Sequence, residues 1–265
     1  MLNEEGTISK NITSESSVPL KGKIVVNFGD SMFGIKQGST SISSYIANKT
    51  GATVHNLGFG GCRMSTHGTN WDAFCMYSLA DTIVTNDYTK QDTALVNGTD
   101  ILPGYFNNAV KLMKTIDFNT VDYITIAYGT NDYTAGVNLD NGEDLLDVNT
   151  YKGALRYTLE KIMTAYPHLK IMLLTPIYAF WRDDFGEFLE DSDIKLFNGV
   201  TLDAFVTAIK EVSKEYKTPY LDNYYDLGIN KFNRNEYFPS NDSHPNATGN
   251  EKIGSKIASQ LVSRF

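Results

Sequence analysis

The chain has 265 residues, a formal charge of −8, 42% hydrophobic and 12% aromatic residues, and 16 tyrosines. That length suits one α/β domain able to bury an ample core, and the acidity leaves no basic footprint for nucleic acid or anionic membrane surfaces. No apolar run reaches the roughly 18 residues of a membrane span, and the N-terminus lacks a signal peptide's basic and apolar regions, so the chain is expected to stay inside the cell or to be a mature or excised domain of an exported protein.

Residues 1–19 are polar and rich in Ser, Thr, Asn and Glu, as a flexible arm or linker would be, and the folded domain is expected over 20–265. The apolar run from Ile24 to Phe28 closes on Gly29-Asp30-Ser31. It predicts a buried strand that delivers a serine to its carboxyl end, where ligands gather in open α/β sheets. A helix follows over 39–47, with Ile42, Tyr45 and Ile46 inward and Gly51 as its stop. Residues 52–57 read as a second strand, and glycines then cluster over 58–64 before a stretch of helix and loop to about Leu102. A helix over 107–115 precedes a third strand over 121–128, which ends in Gly129-Thr-Asn-Asp132. Leu155, Leu159, Ile162, Met163 and Tyr166 recur at helical spacing, and 170–175 is a fourth strand closed by Pro176. Leu202, Phe205, Val206, Ile209 and Val212 mark another helix, Tyr220-Leu221 a short fifth strand, and Ile253, Ile257 and Leu261 a final helix. Strands alternating with helices imply a three-layer α/β/α sandwich around a central, mostly parallel five-stranded sheet.

A serine hydroxyl is a poor nucleophile until a neighbouring base takes its proton. The histidines are His55, His67, His168 and His244. His244 has the richest setting: in Ser240-Asn-Asp-Ser-His-Pro-Asn246 the proline restrains the backbone and Asp242 lies close enough to orient the imidazole. His55, within a strand, and His168, after Pro167, read as structural, whereas His67 is a candidate for the cleft wall. Donors for an oxyanion are offered by backbone N–H groups of the glycine-rich Asn56-Leu-Gly-Phe-Gly-Gly-Cys62 and by the side-chain amide of Asn131. Beyond the fourth strand, Tyr178, Trp181 and Arg182 are expected to border the crevice as substrate-binding groups, Trp181 having a packing role as its alternative. The stretch 71–104, with Tyr77, Tyr88 and Asp92, is a second candidate wall. Cys62 and Cys75 match neither a redox pair nor a zinc site and read as structural, able to form one disulfide in an exported protein.

These residues resemble the SGNH hydrolases, or GDSL-type esterases and lipases. The likeness rests on Phe28-Gly-Asp-Ser31, on Asn56 through Gly61, on Gly129-Thr-Asn131-Asp132 and on His244-Pro-Asn246 with Gly249 following, all four in order after residue 20. The resemblance implies a flavodoxin-like fold, Ser31 as nucleophile and His244 as general base. It also implies an oxyanion hole made by the Ser31 amide, Gly61 and Asn131, with Gly60 as the alternative to Gly61, and no metal or cofactor. One departure stands out: the family shows Asp-x-x-His-Pro, whereas here Asn241 lies three residues before the histidine and Asp242 two. Asp242 is taken as the triad acid, with Asn241 or a backbone carbonyl as alternatives. No Gly-x-Ser-x-Gly elbow surrounds Ser31, so the larger α/β-hydrolase fold is not indicated. The expected activity is a serine esterase working through a Ser-His-Asp triad and an acyl-enzyme, removing a short acyl group, acetyl above all, from a small-molecule or glycan ester. Beside it stand a lipase or lysophospholipase-type acylhydrolase and a glycan-binding surface module of weak turnover.

Overall fold

Apolar runs too short for helices and closed by glycine or proline settle into strands, and alternate side chains then serve opposite faces. The computed structural model describes residues 18–98, 101–239 and 243–265. Its main sheet contains β1 (Ile24–Gly29), β2 (Thr53–Gly58), β3 (Tyr123–Ala127), β4 (Lys170–Leu174) and β7 (Tyr220–Leu221), in the order β2-β1-β3-β4-β7 with every pair parallel. β5 (Phe180–Arg182) and β6 (Phe188–Asp191) form a separate antiparallel hairpin.

Each strand of the sheet feeds both layers. Val26 and Phe28 of β1, Ile124 and Ile126 of β3, and Ile171 and Leu173 of β4 join one core cluster, with Leu79, Phe106, Leu155, Leu159 and Phe205 from the helices on that side. Val25, Tyr123, Met172 and Leu174 face the other way, onto Ile42, Ile46, Ile253, Ile257 and Leu261 of helices Ile42–Thr50 and Ala247–Arg264. Burial of both faces is why these strands read as continuous apolar runs.

The chain enters at β1, goes outward to β2, then crosses back to place β3 on the other side of β1. The order reverses between β1 and β3, and a crevice opens at the carboxyl ends of such a pair. Gly29 pairs in register with Ala127, so the turns that follow, at Asp30-Ser31 and at 128–131, emerge side by side.

Some expectations change. The stretch after β4, to which no element was assigned from the sequence, contains the β5–β6 hairpin, and the sheet proper is wholly parallel. Met163, expected inward, is 37% exposed, because helix Tyr151–Ala165 turns that position to its outer edge. Cys62 and Cys75 are both buried free thiols. Leu20 is buried and its N–H donates to the Thr50 carbonyl at 2.8 Å, while residues 1–17 of the expected arm lie outside the described residues. Among the described residues no helix is long and apolar enough to cross a membrane.

Candidate active site

At the end of β1 the backbone turns sharply from strand to helix. Asp30 is the N-cap of the single-turn helix Ser31–Gly34, and its side chain accepts the Met32 N–H at 3.0 Å. Ser31 is therefore the first residue of a helix and half-buried at its mouth. Asp30 itself is 4% exposed. Burial pushes its carboxyl up to about 6, against the opposing effects of the Met32 amide and the charge of His244, which places the imidazole within electrostatic reach of this turn.

The turn after β3 provides the second component. Asn131 donates from its side-chain amide to the Cys62 carbonyl at 2.8 Å, leaving the amide's second N–H for another acceptor. Its neighbour Asp132 is fully buried, and its carboxylate accepts Met64 N–H at 2.9 Å, Ser65 N–H at 3.0 Å and the Ser65 hydroxyl at 2.6 Å. Burial raises the Asp132 pKa, and the Ser65 and Met64 donors oppose that rise. Two consecutive residues thus clamp the glycine loop to the end of β3.

Within that loop, Gly60 is buried and packed on the serine: a Cβ built there would stand 2.4 Å from the Tyr105 hydroxyl and 3.3 Å from Ser31 Cβ. Gly60 N–H donates to the Tyr105 hydroxyl oxygen at 2.9 Å. Gly61 is half-buried in the left-handed region at φ 79°, a conformation costly for a residue with a Cβ, and no partner for its N–H occurs among the described residues.

The third component is the segment before the last helix. Asn246 caps helix Ala247–Arg264 by accepting Gly249 N–H at 3.0 Å, and it is tied to helix Arg234–Tyr237 by its own N–H to the Tyr237 carbonyl at 2.8 Å and by its amide to the Glu236 carbonyl at 3.0 Å. Those bonds fix the chain two residues beyond His244.

Ser31, Asn131 and His244 line one cavity of about 400 Å³, together with Tyr178, Trp181 and Arg182. Tyr178 is held by donating its hydroxyl to Asp191 Oδ2 at 2.8 Å. Trp181 packs edge-on against Tyr133 at 6.1 Å between centroids and tilts against Phe197 at 5.8 Å, so its packing role and its place on the cavity coexist. Gly60 packs against the serine and Gly61 against the Trp71 ring, and neither is among the lining residues. Asp242 and Asn241 lie outside the described residues.

Other candidates fall elsewhere. His67 stacks on Trp71 at 5.6 Å, away from the cavity. Tyr77 donates to Asp72, Tyr88 donates to the Met113 carbonyl at 3.2 Å, and Asp92 pairs with Lys114 at 2.7 Å; none of the three lines the cavity. This stretch covers the core face of the sheet instead. Asp132 and Tyr105, in contrast, hold the site together without having been singled out from the sequence: Asp132 lay inside a quoted motif, and Tyr105 carried no signal.

The family model for GDSL-like lipases and acylhydrolases matches residues 24–252. The chain belongs to that family. All three components of this GDSL-type site fall within the match. The fold is shared with a protein from Lactobacillus plantarum, 22% identical, with a TM-score of 0.65 and coverage of 92% of this chain and 99% of that one. It is shared too with a carbohydrate acetylesterase from Sinorhizobium meliloti, at 12% identity, TM-score 0.55, and 92% and 100% coverage. An aryl esterase from M. smegmatis is 14% identical, with a TM-score of 0.55 and 92% and 100% coverage. No curated relative matches the chain.

Proposed function

We propose that this GDSL-family protein is a serine esterase that removes a short acyl group, acetyl above all, from a carbohydrate ester. Ser31 Oγ attacks the ester carbonyl while His244 takes its proton, and the imidazolium then protonates the departing alcohol. Water, activated by the same base, releases the acid from the acyl-enzyme. The oxyanion is stabilised by the Ser31 amide, by the N–H of Gly61, which has no partner among the described residues, and by the second N–H of Asn131; Gly60 is the poorer donor, since Tyr105 already accepts its N–H. Asp242 takes the role of triad acid on the strength of its place in the sequence motif alone.

The observation that carries this reading is the meeting of Ser31, His244 and Asn131 on one cavity at the β1/β3 switch point. The preference for carbohydrate draws on Tyr178, Trp181 and Arg182 lining the same cavity, an aromatic and polar set suited to a sugar. The acetylesterase from Sinorhizobium meliloti sharing this fold points the same way. A lipid acylhydrolase is the second reading, favoured by Phe185, 92% exposed, and Leu189, 59% exposed, on the β5–β6 hairpin that borders the cavity.

Hydrolysis of p-nitrophenyl acetate, butyrate and octanoate by wild type and Ser31→Ala, with acetate release from acetylated xylan alongside, separates the readings. The proposal expects serine-dependent turnover that falls steeply with chain length, together with acetate release. A preference for octanoate would establish the acylhydrolase, and no serine-dependent turnover on any ester would overturn both.

A further inference from the structure

The single-turn helix Thr130–Thr134 follows β3 and brings Asn131 to the cavity. At about 100° per residue, Thr134 falls on the helix surface between Thr130 and Asn131. All three line the cavity, whereas Asp132 and Tyr133, on the opposite side of the turn, are buried. The order Thr-Asn-Asp-Tyr-Thr therefore sets two hydroxyls and one amide side by side along the cavity.

Both hydroxyls are open to a ligand. Thr130 is half-buried and Thr134 exposed, and neither oxygen is enclosed, unlike Nε and Nη2 of Arg182 on the same cavity. The Thr130 hydroxyl has no hydrogen-bonding partner among the described residues, so both its proton and its lone pairs are available. Thr134 donates to the Asn131 carbonyl at 3.3 Å, which leaves its oxygen as an acceptor. A hydroxyl can donate to Thr134 and accept from Thr130; an alkyl chain can do neither. Asn131 is the oxyanion donor of the reading above, so a group that meets its two helix neighbours sits close to the scissile ester. An acetyl group has no hydroxyl to offer, which assigns that group to the alcohol half.

We infer that Thr130 and Thr134 are specificity-determining residues that receive a free hydroxyl of the alcohol half, adjacent to the ester. This rests on the esterase reading and narrows its substrates to partial esters of polyols, sugars among them. Simple alkyl esters strip water from the two threonines and return no hydrogen bond, so they are turned over less efficiently.

Ethylene glycol monoacetate against propyl acetate, in which a methyl replaces the hydroxyl, tests this by acetate release. The two esters are compared in wild type, Ser31→Ala, Thr130→Val, Thr134→Val, the double valine variant and Thr130→Ser. Valine keeps the shape of threonine and removes its hydroxyl. The glycol-to-propyl ratio of kcat/KM should fall by about threefold or more from wild type to the double variant, as the loss of two net hydrogen bonds allows. Each single valine variant should lose part of it, and Thr130→Ser should keep the wild-type ratio. Because the ratio is taken within one variant, a general loss of activity cancels. A smaller fall in the double variant, with turnover still dependent on Ser31, would overturn the hydroxyl site and leave the esterase reading standing. Should no ester be turned over in a serine-dependent way, the esterase reading fails, and calorimetric titration of methyl xyloside into wild type and the double variant decides the site. Binding that the valines weaken would keep the hydroxyl site without the chemistry; equal binding, or none, would overturn it as well.

Discussion

Substituting Asp132 by alanine removes the acceptor that holds Met64 N–H, Ser65 N–H and the Ser65 hydroxyl in a fully buried place. The hydroxyl can rotate to another acceptor, but the two backbone N–H groups cannot, and each buried orphan costs about 1–3 kcal/mol. Part of this is offset, because burial already disfavours the native carboxylate, as the upward direction of its pKa records. The net loss works out at about 2–4 kcal/mol, or roughly 5–15 °C in melting temperature for a domain of this size. Asp132→Asn keeps one acceptor but turns an amide N–H toward a backbone donor, so it should fall between the two. Since the clamped loop carries Gly60 and Gly61, turnover of p-nitrophenyl acetate should drop in both variants at temperatures where they remain folded. Calorimetric melting and initial rates are the assay. An Asp132→Ala protein that melts within about 2 °C of wild type and turns over at the same rate would refute the clamp.

Asp30 predicts a pH effect of defined sign. Its carboxyl titrates near 6 in the folded chain rather than at 3.8, so between those values the folded state keeps a proton that the unfolded state releases, and stability falls as pH rises through that window. The shift corresponds to about 3 kcal/mol; Asp30→Asn keeps an acceptor for Met32 N–H without ionising, and its unfolding midpoint should fall less than the wild type's from pH 4 to pH 7. An identical fall in both proteins would contradict the assignment. Gly60→Ala forces a methyl against the Tyr105 hydroxyl at 2.4 Å and toward Ser31 Cβ at 3.3 Å, so ester turnover should drop more than tenfold, with partial recovery on adding Tyr105→Phe. Unchanged kinetics in Gly60→Ala would show that the loop does not meet the serine as described.

Strands β1, β3 and β4 were legible because each is an apolar run buried on both faces and closed by a residue that breaks it, whereas the half-buried edge strand β2 and the short β7 emerged by alternation with the helices. The β5–β6 hairpin was not, since three and four residues are too few to display a period of two. The single-turn helices Ser31–Gly34 and Thr130–Thr134 escaped for a similar reason, although the residues they deliver had been singled out. At the site, motif residues at strand ends could be named because the fold type places such ends in one crevice; Ser31, Asn131 and His244 do share a cavity. Tyr178, Trp181 and Arg182 share it as well. His67, Tyr77, Tyr88 and Asp92 do not, because the stretch that bears them packs along the sheet rather than over its carboxyl edge, and sequence spacing carries no information on that choice. Tyr105 and Asp132 act through contacts tens of residues away in the chain, 45 and 68 respectively, which no local pattern encodes.

The most direct test of the account is covalent labelling with a fluorophosphonate, which phosphonylates an activated serine with loss of fluoride. Intact-mass and peptide mass spectrometry should find one adduct per chain, on Ser31, absent from Ser31→Ala and strongly slowed in His244→Ala. Labelling of a different residue, or equal labelling of wild type and Ser31→Ala, would contradict Ser31 as the nucleophile.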